Sequence, residues 1–92
     1  MYRIIDSRST GKTGRLMLLA KETGAVIACS NPTAMEQKAR VYGITGVDFI
    51  SYSHLFGGRL DPHKKVLIDE LECFIHNYID GHIIGYTLTN ED

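Results

Sequence analysis

Gly24-Ala25-Val26-Ile27-Ala28-Cys29-Ser30-Asn31-Pro32 decides the fold class. Its first six residues carry no charge and are apolar on both alternating faces, the pattern of a strand covered above and below. Ser30-Asn31-Pro32 then reads as a helix start, a capping side chain followed by Pro at the first helical position. A buried strand turning directly into a helix is the repeating unit of α/β proteins.

Working outward, Leu16, Leu19, Ala20 and Thr23 repeat at i, i+3, i+4 and i+7, which predicts a helix from Lys12 to about Thr23 with Gly24 as its stop. On the other side the helix from Pro32 should run through Met35 and Ala39 to Tyr42, closed by Gly43. Val47 to Tyr52 reads as a strand, and Ser53 to His63 as a loop with one helical turn around His54 to Phe56. Lys65 to Ile68 is a further strand, delivering Asp69 and Glu70 at its end. Leu71, Phe74, Ile75, Tyr78 and Ile79 form an amphipathic helical stripe ended by Gly81. Tyr2 to Ile5 and His82 to Thr89 are β-prone and complete the count. The expectation is therefore an α/β three-layer sandwich with a mainly parallel five-stranded sheet, joined by right-handed crossovers.

The totals fit one domain over residues 1–92: 43% of residues are hydrophobic and 23% charged. Ten Lys and Arg against eleven Asp and Glu give a net charge of -1. Without a basic stretch, a strongly electrostatic nucleic-acid surface is not indicated. The longest apolar run falls far short of the ~20 residues that span a bilayer. Cys29 and Cys73 both sit in apolar runs and read as buried free thiols in a cytoplasmic protein, with no zinc spacing between them. His54, His63, His76 and His82 lack ligand-like spacing. Tyr42, Tyr52 and Tyr78 read as core-edge residues rather than base-stacking platforms.

The chemistry concentrates in two places. Asp6-Ser7-Arg8-Ser9-Thr10-Gly11-Lys12-Thr13 lies between the first β-prone run and the first helix. There the loop amides of Ser9, Thr10, Gly11 and Gly14 and the positive helix end can surround an anion, Lys12 adds charge, and Thr13 offers a hydroxyl to Mg²⁺. Gly-Lys-Thr alone arises often by chance; its position between strand and helix gives it weight. The second place is Val66-Leu67-Ile68-Asp69-Glu70, where Asp69 can reach the metal and Glu70 can polarise an attacking water.

With both halves in place the chain resembles the P-loop NTPases, specifically the additional-strand group that includes helicases and phage terminase motors. Ser7 to Thr13 looks like the terminase form of the Walker A loop, with an Arg inside it, and Val66 to Glu70 looks like Walker B. Ala25 to Pro32 is similar to helicase motif Ia, and Phe49 to Tyr52 to the strand that follows it. The resemblance implies a truncated RecA-like core, ATP with Mg²⁺ as ligands, a bacterial or phage cytoplasm, and Thr87 and Thr89 as sensors of the γ-phosphate. Three features depart from it. Asp6 stands where the loop pattern begins with Gly or Ala, the later elements of the family are missing, and no arginine finger is evident. Such an Arg is worth ~10³–10⁵ in rate, so hydrolysis is expected to be weak unless a partner or second copy supplies one. Arg8, Arg15, Arg40 and Arg59 are candidates in trans, and nothing in the sequence selects among them. Two other readings stay open: a non-catalytic interaction or inhibitor module on a P-loop scaffold, and a ring or filament subunit forming composite sites.

Overall fold

The structure is a computed structural model that describes residues 3–5, 11–56, 58 and 60–89. In chain order it contains α1 (Lys12–Thr23), β1 (Val26–Cys29), α2 (Pro32–Val41), β2 (Phe49–Ser51), a 3₁₀ turn (Tyr52–Leu55), β3 (Val66–Ile68) and α3 (Leu71–Tyr78). The strands form a parallel sheet in the order β2-β1-β3. Ile27 lies beside Phe49 on one side and Leu67 on the other.

β1 is the centre: all four of its residues are buried, whereas those of β2 and β3 are only partly so, and both its edges are paired. Ile27 and Cys29 join Leu16, Met17 and Ala20 of α1 and Met35 and Ala39 of α2 in a single core, with Ile4, Ile44, Val47, Phe49 and Leu67 packed against it. The buried stripe of α1 is rotated from the expected one. Met17 is fully buried, whereas Leu19 and Thr23 are only partly covered.

Local stop and start signals act as read. Gly24 closes α1 at φ 76°, its N–H donating to Ala20 O at 2.9 Å. The Asn31 side chain accepts from Ala34 N–H at 3.1 Å, with Pro32 at the first helical position.

The five-stranded sheet is not what forms: among the described residues the sheet has three strands. Residues 3–5 are not in a strand, and Ile5 is 80% exposed. Tyr2 and Asp6 lie outside the described residues. His82 to Thr89 is likewise irregular, with Ile84 91% exposed. The Arg3 guanidinium donates to the Thr89 carbonyl, so the two segments touch without making a ladder. Gly81 precedes the β-prone residues of the second segment and Gly85 interrupts them, which weakens it as a strand. The expectation of a three-layer sandwich on five strands is corrected to a smaller α/β fold with, among the described residues, three helices and a three-stranded parallel sheet.

The α3 stripe also has a different use from the one expected, since none of its residues is buried. Phe74 instead meets the Tyr52 ring edge-on at 5.3 Å, stacks on Phe56 at 5.9 Å and touches Tyr78 at 5.4 Å. Such ring pairs are worth about 0.5–1.5 kcal/mol each beyond area burial. Cys73, expected to be buried, is exposed beside these rings, while Cys29 is buried as read. No helix among the described residues is long and apolar enough to cross a membrane.

Candidate functional site

α1 begins at Gly11, whose φ of 80° places it in the left-handed region that glycine adopts without strain. No acidic residue lies in the first turn, so the orphan N–H groups and positive end of this helix are not neutralised by its own sequence. Lys12 is the first helical residue. Its Nζ lies 3.7 Å from Glu70 Oε1, the two side chains being 23% and 41% exposed. A pair this exposed contributes about 0–1 kcal/mol. Its importance is positional: it joins the two stretches singled out in the sequence.

Glu70 is held in an unusual way. With φ 55° and ψ 68° it is the one non-glycine residue at positive φ among the described residues, a conformation that costs on the order of 1–2 kcal/mol. Hydrogen bonds from three donors fasten this turn. The Asp69 N–H donates to Ala28 O at 3.0 Å, extending the β1–β3 ladder past the end of β3, and the Phe74 N–H donates to Glu70 O at 3.1 Å. The Tyr52 hydroxyl donates to Asp69 O at 2.6 Å and also approaches Glu70 O at 3.3 Å. Tyr52 is buried. Burial, followed by the negative charges of neighbouring groups, pushes its phenol well above the ordinary range and keeps it a neutral donor.

Sequence reading missed Tyr52 in this role. The available signal was an amphipathic ring at the exit of an apolar strand, which needs a polar partner when buried; nothing local says that the partner is the 69–70 backbone. Lys38 of α2 was missed as well. Its charge acts on Asp69 more strongly than that of Lys12 does.

Asp69 itself is raised above the usual carboxylate range, by burial first and by the charge of Glu70 second, with Lys38 and Lys12 opposing. Burial, assisted by the Asp69 charge, also pushes the Cys29 thiol up to about 11. A carboxyl with a raised folded-state pKa binds more protons folded than unfolded in the window above its ordinary value, so stability falls as pH rises through that window. Asp69→Asn is therefore expected to match the wild type near pH 3 and to be the more stable of the two at pH 7. Urea unfolding at both pH values checks this, and equal stability at pH 7 would remove the burial penalty assigned to Asp69.

Of the other sequence candidates, Thr13 and Gly14 are partly buried in the first turn of α1. Ser9 and Thr10 lie outside the described residues, as do Asp6, Ser7, Arg8 and Arg59. Thr87 and Thr89 are exposed on the irregular 79–89 segment rather than on a strand of the sheet. No group of three or more His, Cys, Asp or Glu side chains able to hold a metal occurs among the described residues. The Thr13 hydroxyl and the Asp69 carboxylate are oxygen donors of the kind that hard cations take.

Fold and site together define a small α/β chain in which a lysine-bearing helix N-terminus faces an acidic turn. No family model, curated protein or solved structure matches it.

Proposed function

We propose that this chain binds a nucleoside triphosphate with Mg²⁺, ATP being the expected ligand, through the N-terminus of α1 and the acidic turn after β3. The observation that carries the reading is the approach of Lys12 to Glu70 at 3.7 Å, which brings a cationic helix start and a paired-carboxylate turn to one place. Lys12 and the amides around Gly11 and Gly14 hold the phosphates, a role that the resemblance extends to Ser9 and Thr10. Thr13 and Asp69 hold the metal, and Glu70 orients water for a slow, partner-dependent hydrolysis. An Arg donated by a second copy or a partner would speed that step. We place the protein in a bacterial or phage cytoplasm, on the resemblance of the 7–13 loop to terminase motors.

The test is the thermal midpoint of the wild type with and without Mg²⁺-ATP. Ligand at 100 times its Kd adds about 2.7 kcal/mol. No shift at millimolar nucleotide sinks the reading. Glu70→Gln sharpens it, because the carboxylate that orients water also competes with phosphate for Lys12. The variant is expected to lose turnover and to bind Mg²⁺-ATP up to about fivefold more tightly.

A second reading, a protein-interaction module, is favoured by the exposed apolar side chains of Phe56, Leu71, Tyr78 and Ile79 along one region. In that case Lys12→Ala leaves partner binding unchanged.

A further inference from the structure

Along the N-terminal half of α1, the helix that begins with Lys12, an open groove of about 370 Å³ is lined by Gly11, Gly14, Leu18, Tyr42 and Ile44. Gly11, Gly14 and Leu18 are spaced three and four apart and share a face of α1, one turned away from the buried residues Leu16, Met17 and Ala20. The opposite wall is set by how α2 stops. The Gly43 N–H donates to Arg40 O at 3.1 Å and the Ile44 N–H to Ala39 O at 2.9 Å, with Gly43 at φ +72°. That is the paired-bond stop that fixes the residues on either side of the glycine. Ile44 is anchored on the core, and Tyr42 stands half-exposed.

Gly14 is informative because the fold does not require it. It is not at positive φ, and a Cβ there would meet the Tyr42 ring at 3.7 Å, an ordinary contact. A glycine inside a helix is worse than alanine by roughly 0.5–1 kcal/mol. Its effect here is to keep the groove floor at backbone level next to Gly11.

We infer that this groove seats the base of the bound nucleotide, with the Tyr42 ring as the stacking surface, and that it accepts purines without distinguishing adenine from guanine. The inference rests on the nucleotide reading above and adds the base subsite to it. The groove volume is at the low end for ligand pockets, enough for a base and part of its sugar and too small for the whole triphosphate. Lys12 and Leu18 are six residues apart, about 9 Å along the helix, which separates a phosphate end from a base end. Apart from the Tyr42 hydroxyl, the lining side chains carry no donor or acceptor. Strong discrimination between ligands requires buried hydrogen-bonding groups that the wrong ligand leaves unpaired; stacking has no such requirement.

The experiment measures Kd for Mg²⁺ complexes of ATP, GTP, CTP and inorganic tripolyphosphate on wild type, Tyr42→Phe and Tyr42→Ala. ATP and GTP are expected within about threefold of each other, with CTP weaker and tripolyphosphate weaker by about tenfold. Tyr42→Phe should keep all four values. Tyr42→Ala should bring ATP down to the tripolyphosphate level and leave tripolyphosphate unchanged. Leu18→Asn, at an exposed helical position, should show the same selective loss and serves if Tyr42→Ala disturbs the fold. Equal binding of ATP and tripolyphosphate, with Tyr42→Ala neutral, overturns the base subsite while the phosphate site stands. A tenfold preference for ATP over GTP overturns the indifference to purine identity. Failure of all four to bind overturns the subsite together with the reading it rests on.

Discussion

Lys12→Ala is expected to abolish the nucleotide-dependent rise in thermal midpoint. In the wild type that rise is about 2.7 kcal/mol at 100 times Kd, on the order of 10 °C for a domain of this size. The free variant should differ from the free wild type by less than about 1 kcal/mol, because the ion pair to Glu70 is partly exposed and screened. The contrast between a small effect on the free chain and a complete effect on the liganded one separates a binding role from a structural one. Unchanged stabilisation of Lys12→Ala by Mg²⁺-ATP would remove Lys12 from the site and the proposed function with it.

Ile27→Ala is expected to lower stability by about 2–5 kcal/mol, against a total of about 5–15 kcal/mol for a typical domain. Ile27 is fully buried at the centre of the sheet, beside Phe49 and Leu67 in register. Neighbours fixed by ladders on both edges cannot collapse far into the space left behind. Ile84→Ala provides the matched control. The same side chain is 91% exposed there, so its loss should stay within about 0.5 kcal/mol. Urea midpoints of the two variants decide the matter. A comparable loss at Ile84 would mean that the 79–89 segment is packed, contrary to the three-stranded arrangement.

The pair Ile27 and Ile84 also marks how much of the fold was legible. Elements with local signals were readable: Gly24 and Gly43 stop helices, Asn31-Pro32 starts one, and residues 26–29 carry their burial in composition. The outer strands were not readable, because β-prone residues become a strand only where an edge accepts them. Ile84, Tyr86 and Leu88 alternate suitably and yet remain exposed. Cys73 misled for a related reason. Its neighbours Phe74 and Ile75 are partly covered, but helical geometry turns Cys73 itself outward. At the site, Lys12, Asp69 and Glu70 were visible as residue types in sequence. The hydroxyl of Tyr52 and the charge of Lys38 come from other elements, and only the folded arrangement puts them beside Asp69.

The Tyr52 hydroxyl bond has a mechanical consequence. The ring that carries it is the inner member of a stack whose outer members, Phe56 and Tyr78, reach the surface. The backbone of the acidic turn is thus the short arm of a lever whose long arm is open to contact from outside. A contact made from outside on Phe56 and Tyr78 is two rings and one hydroxyl bond away from the backbone of the acidic turn.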